Sequence, residues 1–288
     1  MALIANILFP VDFSPSSVAM ASYVKRAAAL FGARVSLIHV VDLASHNGLE
    51  LFVRSVPEIS DEHMEIGRER LDSFLAAKFP VAECPRILAS GDAAREIAQA
   101  AKNGKFDLII MPTHSGIFRR MLLGSTTAKV LNDADCPVLT SRHAETISAR
   151  PLEHRELLCA IGLSPDSERV LRFATRLAQE ANGKLTIIHA VRPGEPDQAI
   201  ERGLKEEFQP VEKWDALRRI GDLQRAVGSD AQVCIKAGSV KGALLEAARQ
   251  SNADVLMIGR EPRSGARGRM RDLTYAMIRD SPFPVLSA

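Results

Sequence analysis

None of the four cysteines, Cys84, Cys136, Cys159 and Cys234, stands in a Cys-x-x-Cys or Cys/His spacing. The sequence therefore offers neither a zinc site nor a disulfide framework, and all four read as core thiols. No stretch approaches the roughly 20 apolar residues that span a bilayer, and the opening MALIANILFPVDFS lacks a basic leader with a long apolar core. The expected address is cytoplasmic, with no membrane partner. A surplus of one charge is missing too, since 37 Lys and Arg stand against 35 Asp and Glu. No overall field draws such a chain onto nucleic acid or an acidic membrane. Paired carboxylates, a Ser/His/Asp grouping and a spaced metal cluster are all wanting, which leaves no machinery for fast chemistry and no catalytic or metal-ligating residue to nominate. Slow hydrolysis of a bound nucleotide stays open.

What the sequence does contain is itself, twice. With 288 residues and 46% apolar composition, the chain is long enough for two domains that each bury a core. The segment from Ala5 onward, ANILFPVDFSPSSVAMASYVKRAAALFGARVSLIHVV, returns as ELLCAIGLSPDSERVLRFATRLAQEANGKLTIIHAV. Ser14-Pro15 matches Ser164-Pro165 and His39 matches His189, both offset by 150 positions. Later, Gly91 matches Gly238, Asp107 matches Asp254 and Pro137 matches Pro284, at an offset of 147. The polar stretch 142–155 falls between the copies as a linker, giving domains over 1–142 and 156–288. Between them, residues 47–79 match 195–227 poorly and are expected to carry contacts peculiar to each copy.

Within each copy, short apolar runs alternate with amphipathic stretches. Residues 3–9, 34–41, 86–89, 108–111 and 138–140 read as strands. Ser14-Pro15 and Ser164-Pro165 read as helix starts, the serine oxygen capping amides and proline taking the first helical position. Gly32 and Gly183 follow the ends of those helices, where a positive φ is often needed. Strand-helix alternation implies a parallel sheet wound on both faces, here two tandem doubly wound α/β domains. Ligands of such sheets gather at the carboxyl ends of strands, so the loops after strands one, two and four are where to look.

After strand one, Asp12 lies just before the Ser14 cap. Because Ser14 serves the helix start, Asp12 is left available to accept from a ribose hydroxyl or an adenine amino group. The plainer alternative is that Asp12 orders the turn. After strand four, Gly124-Ser125 opens a helix running to about Asn132. Its amides and macrodipole suit an anion, Gly124 permits close approach and Ser125 adds a hydroxyl, although an ordinary cap has the same appearance. In the same connection, Arg119 and Arg120 either pair with phosphate oxygens or are solvated. His114 reads as a turn or rim residue. His39 and His189 end a strand in both copies, which favours a structural hydrogen bond over catalysis.

The collinear order PVDFS, LIHVV, SGD, DLIIMPTH, LLGSTTAKVL and CPVL resembles the universal stress protein family over nearly the whole chain. The resemblance implies a five-stranded parallel sheet and, as in many members, ATP held without rapid turnover, with Mg2+ carried by the nucleotide. It places Pro10, Val11 and Asp12 beside adenosine and Val40 at the adenine edge. Met111, Gly124, Ser125 and Thr126 would complete the pocket. The family's glycine motif departs from its pattern here: its first two glycines fall on Pro112 and Ser115, and eight residues rather than nine separate Ser115 from Gly124. Proline has no amide hydrogen to offer a phosphate.

The second copy is expected to have lost the nucleotide. Gly162 replaces Asp12, Arg271-Asp272 replaces Gly124-Ser125, and Gly259 and Pro262 stand at the positions of Pro112 and Ser115. A regulatory, stress-response protein binding ATP or a related adenine nucleotide in the first copy, and acting on an unknown protein partner, is one expectation. The alternative is a nucleotide-free scaffold working through its surface and oligomeric state. A third class, pyrophosphatases or nucleotidyl transferases, would show a Ser-Gly-Gly loop or a His-x-Gly-His pair, and neither occurs. Family members commonly pair their last strands between subunits. The resemblance thus implies an internal pairing of residues 138–140 with 285–287, an intramolecular pseudo-dimer, with a homodimer as a further option. Arg260, Arg263, Arg267, Arg269 and Arg271 form a local basic cluster, either a solvated loop or a surface for an anion or acidic partner.

Overall fold

The computed structural model describes residues 2–42, 56–113, 123–141, 155–191, 209–260 and 272–288. They form two compact units, one carrying the elements of the first sequence copy and the other those of the second.

In the first unit, the strands are β1 (Asn6–Pro10), β2 (Arg34–Val41), β3 (Arg86–Ser90), β4 (Leu108–Pro112) and β5 (Val138–Ser141). The helices are α1 (Pro15–Phe31), α2 (Val56–Ser73), α3 (Ala93–Asn103) and α4 (Ser125–Asp133). All pairings are parallel and run β3-β2-β1-β4-β5. The winding direction reverses between β1 and β4, and right-handed crossovers then put helices on both faces. Central strands covered on both faces must be apolar throughout, as in Ile7, Leu8, Phe9, Ile109 and Ile110, all wholly buried.

In the second unit, β6 (Glu156–Ala160), α5 (Ser167–Glu180), β7 (Lys184–Val191), α6 (Gln209–Val227), β8 (Gln232–Ala237), α7 (Val240–Gln250), β9 (Val255–Ile258), α8 (Asp272–Asp280) and β10 (Val285–Ser287) follow in turn. Their parallel order is β8-β7-β6-β9-β10, the same winding. Among the described residues no helix is long and apolar enough to cross a membrane.

The strand expectations hold to within a few residues, the largest shift being β1, which begins at Asn6 rather than at residue 3. Ser14 caps α1 as expected, its side chain accepting from Ser17 N, with proline in the first turn. Its counterpart does not. Helix α5 starts later, its N-cap is Asp166 and no side chain caps it. Ser164 instead accepts the Ser167 amide through its own carbonyl at 3.0 Å, as in a turn. Gly32 takes the left-handed conformation after α1 with φ 62°, whereas after α5 that conformation belongs to Asn182, with φ 49°, and not to Gly183. Asparagine tolerates it better than most side chains do. Of the four unbridged thiols, Cys84 and Cys159 are buried while Cys136 and Cys234 are half-buried, so the core reading fits two of them. Burial pushes the Cys159 thiol up to about 12.

The poorly matching helices α2 and α6 share one device. Arg70 of α2 lies over the Phe13 ring at 4.4 Å, and Arg219 of α6 donates to the Leu163 carbonyl at 2.9 Å. Phe13 and Leu163 are the equivalent residues after the first strand of each copy, and both adopt positive φ, 61° and 56°. A bulky side chain there is strained, and in each copy an arginine from the second helix contacts the turn.

Candidate functional site

The cleft lies at the carboxyl ends of β1, β2 and β4 in the first unit, on the switch point, and has a volume of about 220 Å³. Nine of the residues picked out from the sequence line it together: Pro10, Val11, Asp12, Val40, Met111, Pro112, Gly124, Ser125 and Thr126. Ser115, Arg119, Arg120 and His114 lie outside the described residues.

Sequence reasoning missed several walls. Ala93 and Ile97 of α3 line the cleft, so the loop after β3 joins those after β1, β2 and β4. The signal was the SGD segment: Gly91 turns the chain at φ 129°, and Asp92 caps α3 by accepting the Arg95 amide at 3.0 Å. Asp92 also meets Lys129 of α4 at 2.7 Å, which holds its carboxyl below the usual carboxylate range and ties the two helices flanking the cleft. Ser17, Ile38, His39 and Thr127 complete the lining.

Asp12 is not left over by the Ser14 cap. Its Oδ1 accepts from Ser14 N at 3.0 Å and from the Ser17 hydroxyl at 2.6 Å, while Asp12 N donates back to Ser17 Oγ at 3.4 Å. These bonds show the turn-ordering role of Asp12, whose carboxylate is exposed at the cleft.

His39 is pinned by Nδ1 to the Val11 carbonyl at 2.9 Å, and His189 repeats this on the Ile161 carbonyl at 2.7 Å. The repeat supports the structural role. With Nδ1 facing a carbonyl it is the donor, so the neutral ring is the Nδ1-H tautomer. Burial lowers the His39 pKa most; the Val11 bond opposes that, the Arg70 cation lowers it and the Asp12 carboxylate raises it. The Phe13 ring lies 4.2 Å from the His39 ring.

Helix α4 begins at Gly124 with no side-chain cap. The hydroxyl of Thr127, the nearest alternative, instead donates to the Pro112 carbonyl at 3.2 Å, and Gly124 N donates to the Thr113 carbonyl at 2.9 Å. Its first intrahelical bond is Ala128 N to Gly124 O, so the amides of Ser125, Thr126 and Thr127 precede the helical ladder. Positive dipole, amides and two hydroxyls converge at the cleft edge, an arrangement suited to an anion. Pro112 supplies only a carbonyl.

The corresponding end of the second unit is organised otherwise. A Cβ on Gly162 would meet nothing within 4 Å, and its φ is not positive, so neither space nor backbone demands glycine there. Arg169 Nη2 donates to the carbonyls of Arg260 and Ala288 at 3.2 and 3.3 Å, using strand-end acceptors internally. Arg260 is buried and so leaves the expected basic cluster; Arg263, Arg267, Arg269 and Arg271, like Pro262, lie outside the described residues.

Compared with known proteins, the chain matches the model of the universal stress protein family twice, over residues 4–142 and 153–287. It is 36% identical over 141 residues to a universal stress protein of Methanocaldococcus jannaschii, an alignment covering 48% of this chain and 81% of that one. Against universal stress protein A homolog 2 of Coxiella burnetii it is 33% identical over 110 residues, 38% of this chain and 75% of the relative. Among solved structures, a universal stress protein from Archaeoglobus fulgidus covers 98% of this chain and 97% of its own, with TM-score 0.72 and 23% identity.

Proposed function

The chain belongs to the universal stress protein family, with two tandem copies of its domain, and from the cleft of the first unit we propose that it binds one adenine nucleotide there without rapid turnover. The observation that carries this is the joining of two unlike features in one cleft: the Asp12 carboxylate at the end of β1 and the uncapped start of α4 at Gly124. A carboxylate accepts from ribose hydroxyls or an exocyclic amine; an uncapped helix start takes phosphate. The apolar walls from Val11, Ile38 and Met111 suit a base between them.

At about 220 Å³ the cleft is smaller than the roughly 300–1,000 Å³ that encloses a drug-sized ligand. It takes base and sugar, with the phosphates running out past Gly124. Among the described residues no group of three or more His, Cys, Asp or Glu side chains is arranged to hold a metal, so Mg2+ enters this proposal as part of the nucleotide. Occupancy rather than product is then the signal passed to a protein partner in the stress response.

Pro112 is the observation that favours a nucleotide-free scaffold instead, because the strand end facing the phosphate side has no amide hydrogen. One experiment separates the two. Small molecules are released by acid from the freshly purified full chain and identified by mass spectrometry, followed by calorimetric titration with MgATP. One adenine nucleotide per chain, or saturable binding at that ratio, supports the nucleotide reading. A clean extract with no heat on titration would overturn it and leave the scaffold.

A further inference from the structure

We propose that Ser17 is a positioning residue for nucleotide recognition, holding the Asp12 carboxylate in the orientation in which it meets a ligand N–H or O–H. This rests on the nucleotide reading of the cleft. Ser17 sits in the first turn of α1, only 1% exposed, and lines the cleft wall. Its hydroxyl serves Asp12 in both directions, donating to Oδ1 at 2.6 Å and accepting the Asp12 amide at 3.4 Å. Together with Ser14 N at 3.0 Å, that gives Oδ1 two donors and fixes the plane of an otherwise exposed carboxylate. Fixing the acceptor before the ligand arrives removes the cost of ordering it on binding.

The molecule contains its own control. In the second unit Ser167 keeps the serine, 3% exposed, and the turn before it keeps its positive φ, at Leu163. With Gly162 in place of the aspartate, the Ser167 hydroxyl lies 3.4 Å from Ser164 Oγ instead. Without the carboxylate the strained residue and the helix persist, although the helix starts later, at Ser167, and Ser164 closes a turn instead of capping it. Neither does anything at Gly162 exclude a side chain, since a Cβ there meets nothing within 4 Å. The sheet and the helix therefore do not require the serine-aspartate pair; what the pair adds in the first unit is a fixed carboxylate at the cleft, which is the basis for assigning it to the ligand.

The test is a double-mutant cycle by calorimetry on the full chain, with MgATP as probe. Ser17→Ala is expected to weaken ATP binding about tenfold, as removal of one charge-assisted hydrogen bond does. Ser17→Cys, nearly the same size but a poor donor, is expected to lose as much, which separates the hydroxyl from the packing. In an Asp12→Asn background the Ser17 substitutions are expected to change affinity less than about twofold, because their route to the ligand is gone. Titration with 2′,3′-dideoxy-ATP and with the triphosphate of purine riboside, which lacks the 6-amino group, identifies the donor: the Ser17 effect disappears with whichever analogue lacks it. An undiminished Ser17 effect with both analogues, an equal loss in the Asp12→Asn background, or no loss at all would overturn the assignment while leaving nucleotide binding intact. Failure of the unsubstituted chain to bind ATP would overturn the nucleotide reading and this proposal with it.

Discussion

Asp107 and Asp254, 147 positions apart in the sequence, perform the same task in the two units: each Oδ2 accepts two backbone amides at the entry to the unit's first strand. Asp107 takes those of Ala5 and Asn6, both at 2.9 Å, and Asp254 those of Arg155 and Glu156 at 2.9 and 3.1 Å. The carboxylate precedes β4 or β9 and clamps the neighbouring β1 or β6, registering the two strands whose opposite ends carry the switch point. Asp107→Ala and Asp254→Ala are each expected to destabilise the strand entry by about 1–3 kcal/mol, the cost of leaving amides without their charged partner. Amide hydrogen exchange checks this: faster exchange at Ala5 and Asn6 in the first variant, at Glu156 in the second, and little change in the other unit.

A second expectation concerns pH. The His39 pKa lies below the usual 6.5, chiefly through burial, so folding favours the neutral ring. The unfolded chain then holds more protons between the folded and unfolded values, and stability rises with pH across that interval. The contribution is fully present above about 6.5 and is lost as pH falls through the folded value. His39→Asn, whose amide can still donate to Val11, is expected to flatten the fall of the denaturation midpoint as pH drops below about 6.5.

Arg70 and Asp12 pull that same histidine in opposite directions. Arg70→Ala is expected to raise the His39 pKa and Asp12→Asn to lower it, as followed by NMR titration of the imidazole. Stability should fall by less than about 1 kcal/mol in the arginine variant, since its cation-ring contact with Phe13 is exposed.

Placing a carboxylate at the start of α4 should divide stability from binding. Gly124→Asp gives that helix the side-chain cap it lacks and is expected to leave the melting temperature unchanged or slightly raised. The same charge repels phosphate, so MgATP affinity is expected to fall at least about tenfold. Thermal denaturation and calorimetry on one preparation read both effects; a fall in melting temperature with unchanged affinity would contradict the placement of the phosphates.

Much of the cleft was legible because its residues sit in the few loops that a parallel sheet brings to one end. Asp12, Gly124 and Ser125 follow from a strand end and a helix start, while Pro10, Val11, Val40, Met111, Pro112 and Thr126 come from the family resemblance. Ser17, Ala93 and Ile97 were reached by neither, because a helical residue's entry into a cleft depends on how its helix lies against the sheet. The Ser164 cap failed for a similar reason. Ser14-Pro15 and Ser164-Pro165 are identical as dipeptides, but the first is bracketed by the Asp12 carboxylate and the second follows Gly162, so identical letters gave different turns.

By itself the sequence determined the repeat, the alternation of strand and helix, and the end of the sheet at which the cleft had to lie, since periodicity and chain direction are properties of the letters. The tertiary structure alone decided that Ser17 and Asp12 are partners, that Arg70 and Arg219 contact equivalent turns through different chemistry, and that Asp107 and Asp254 clamp a strand about a hundred residues earlier in the chain. Each of those is a contact made by one side chain's direction across two elements, and direction is fixed only when the elements have packed.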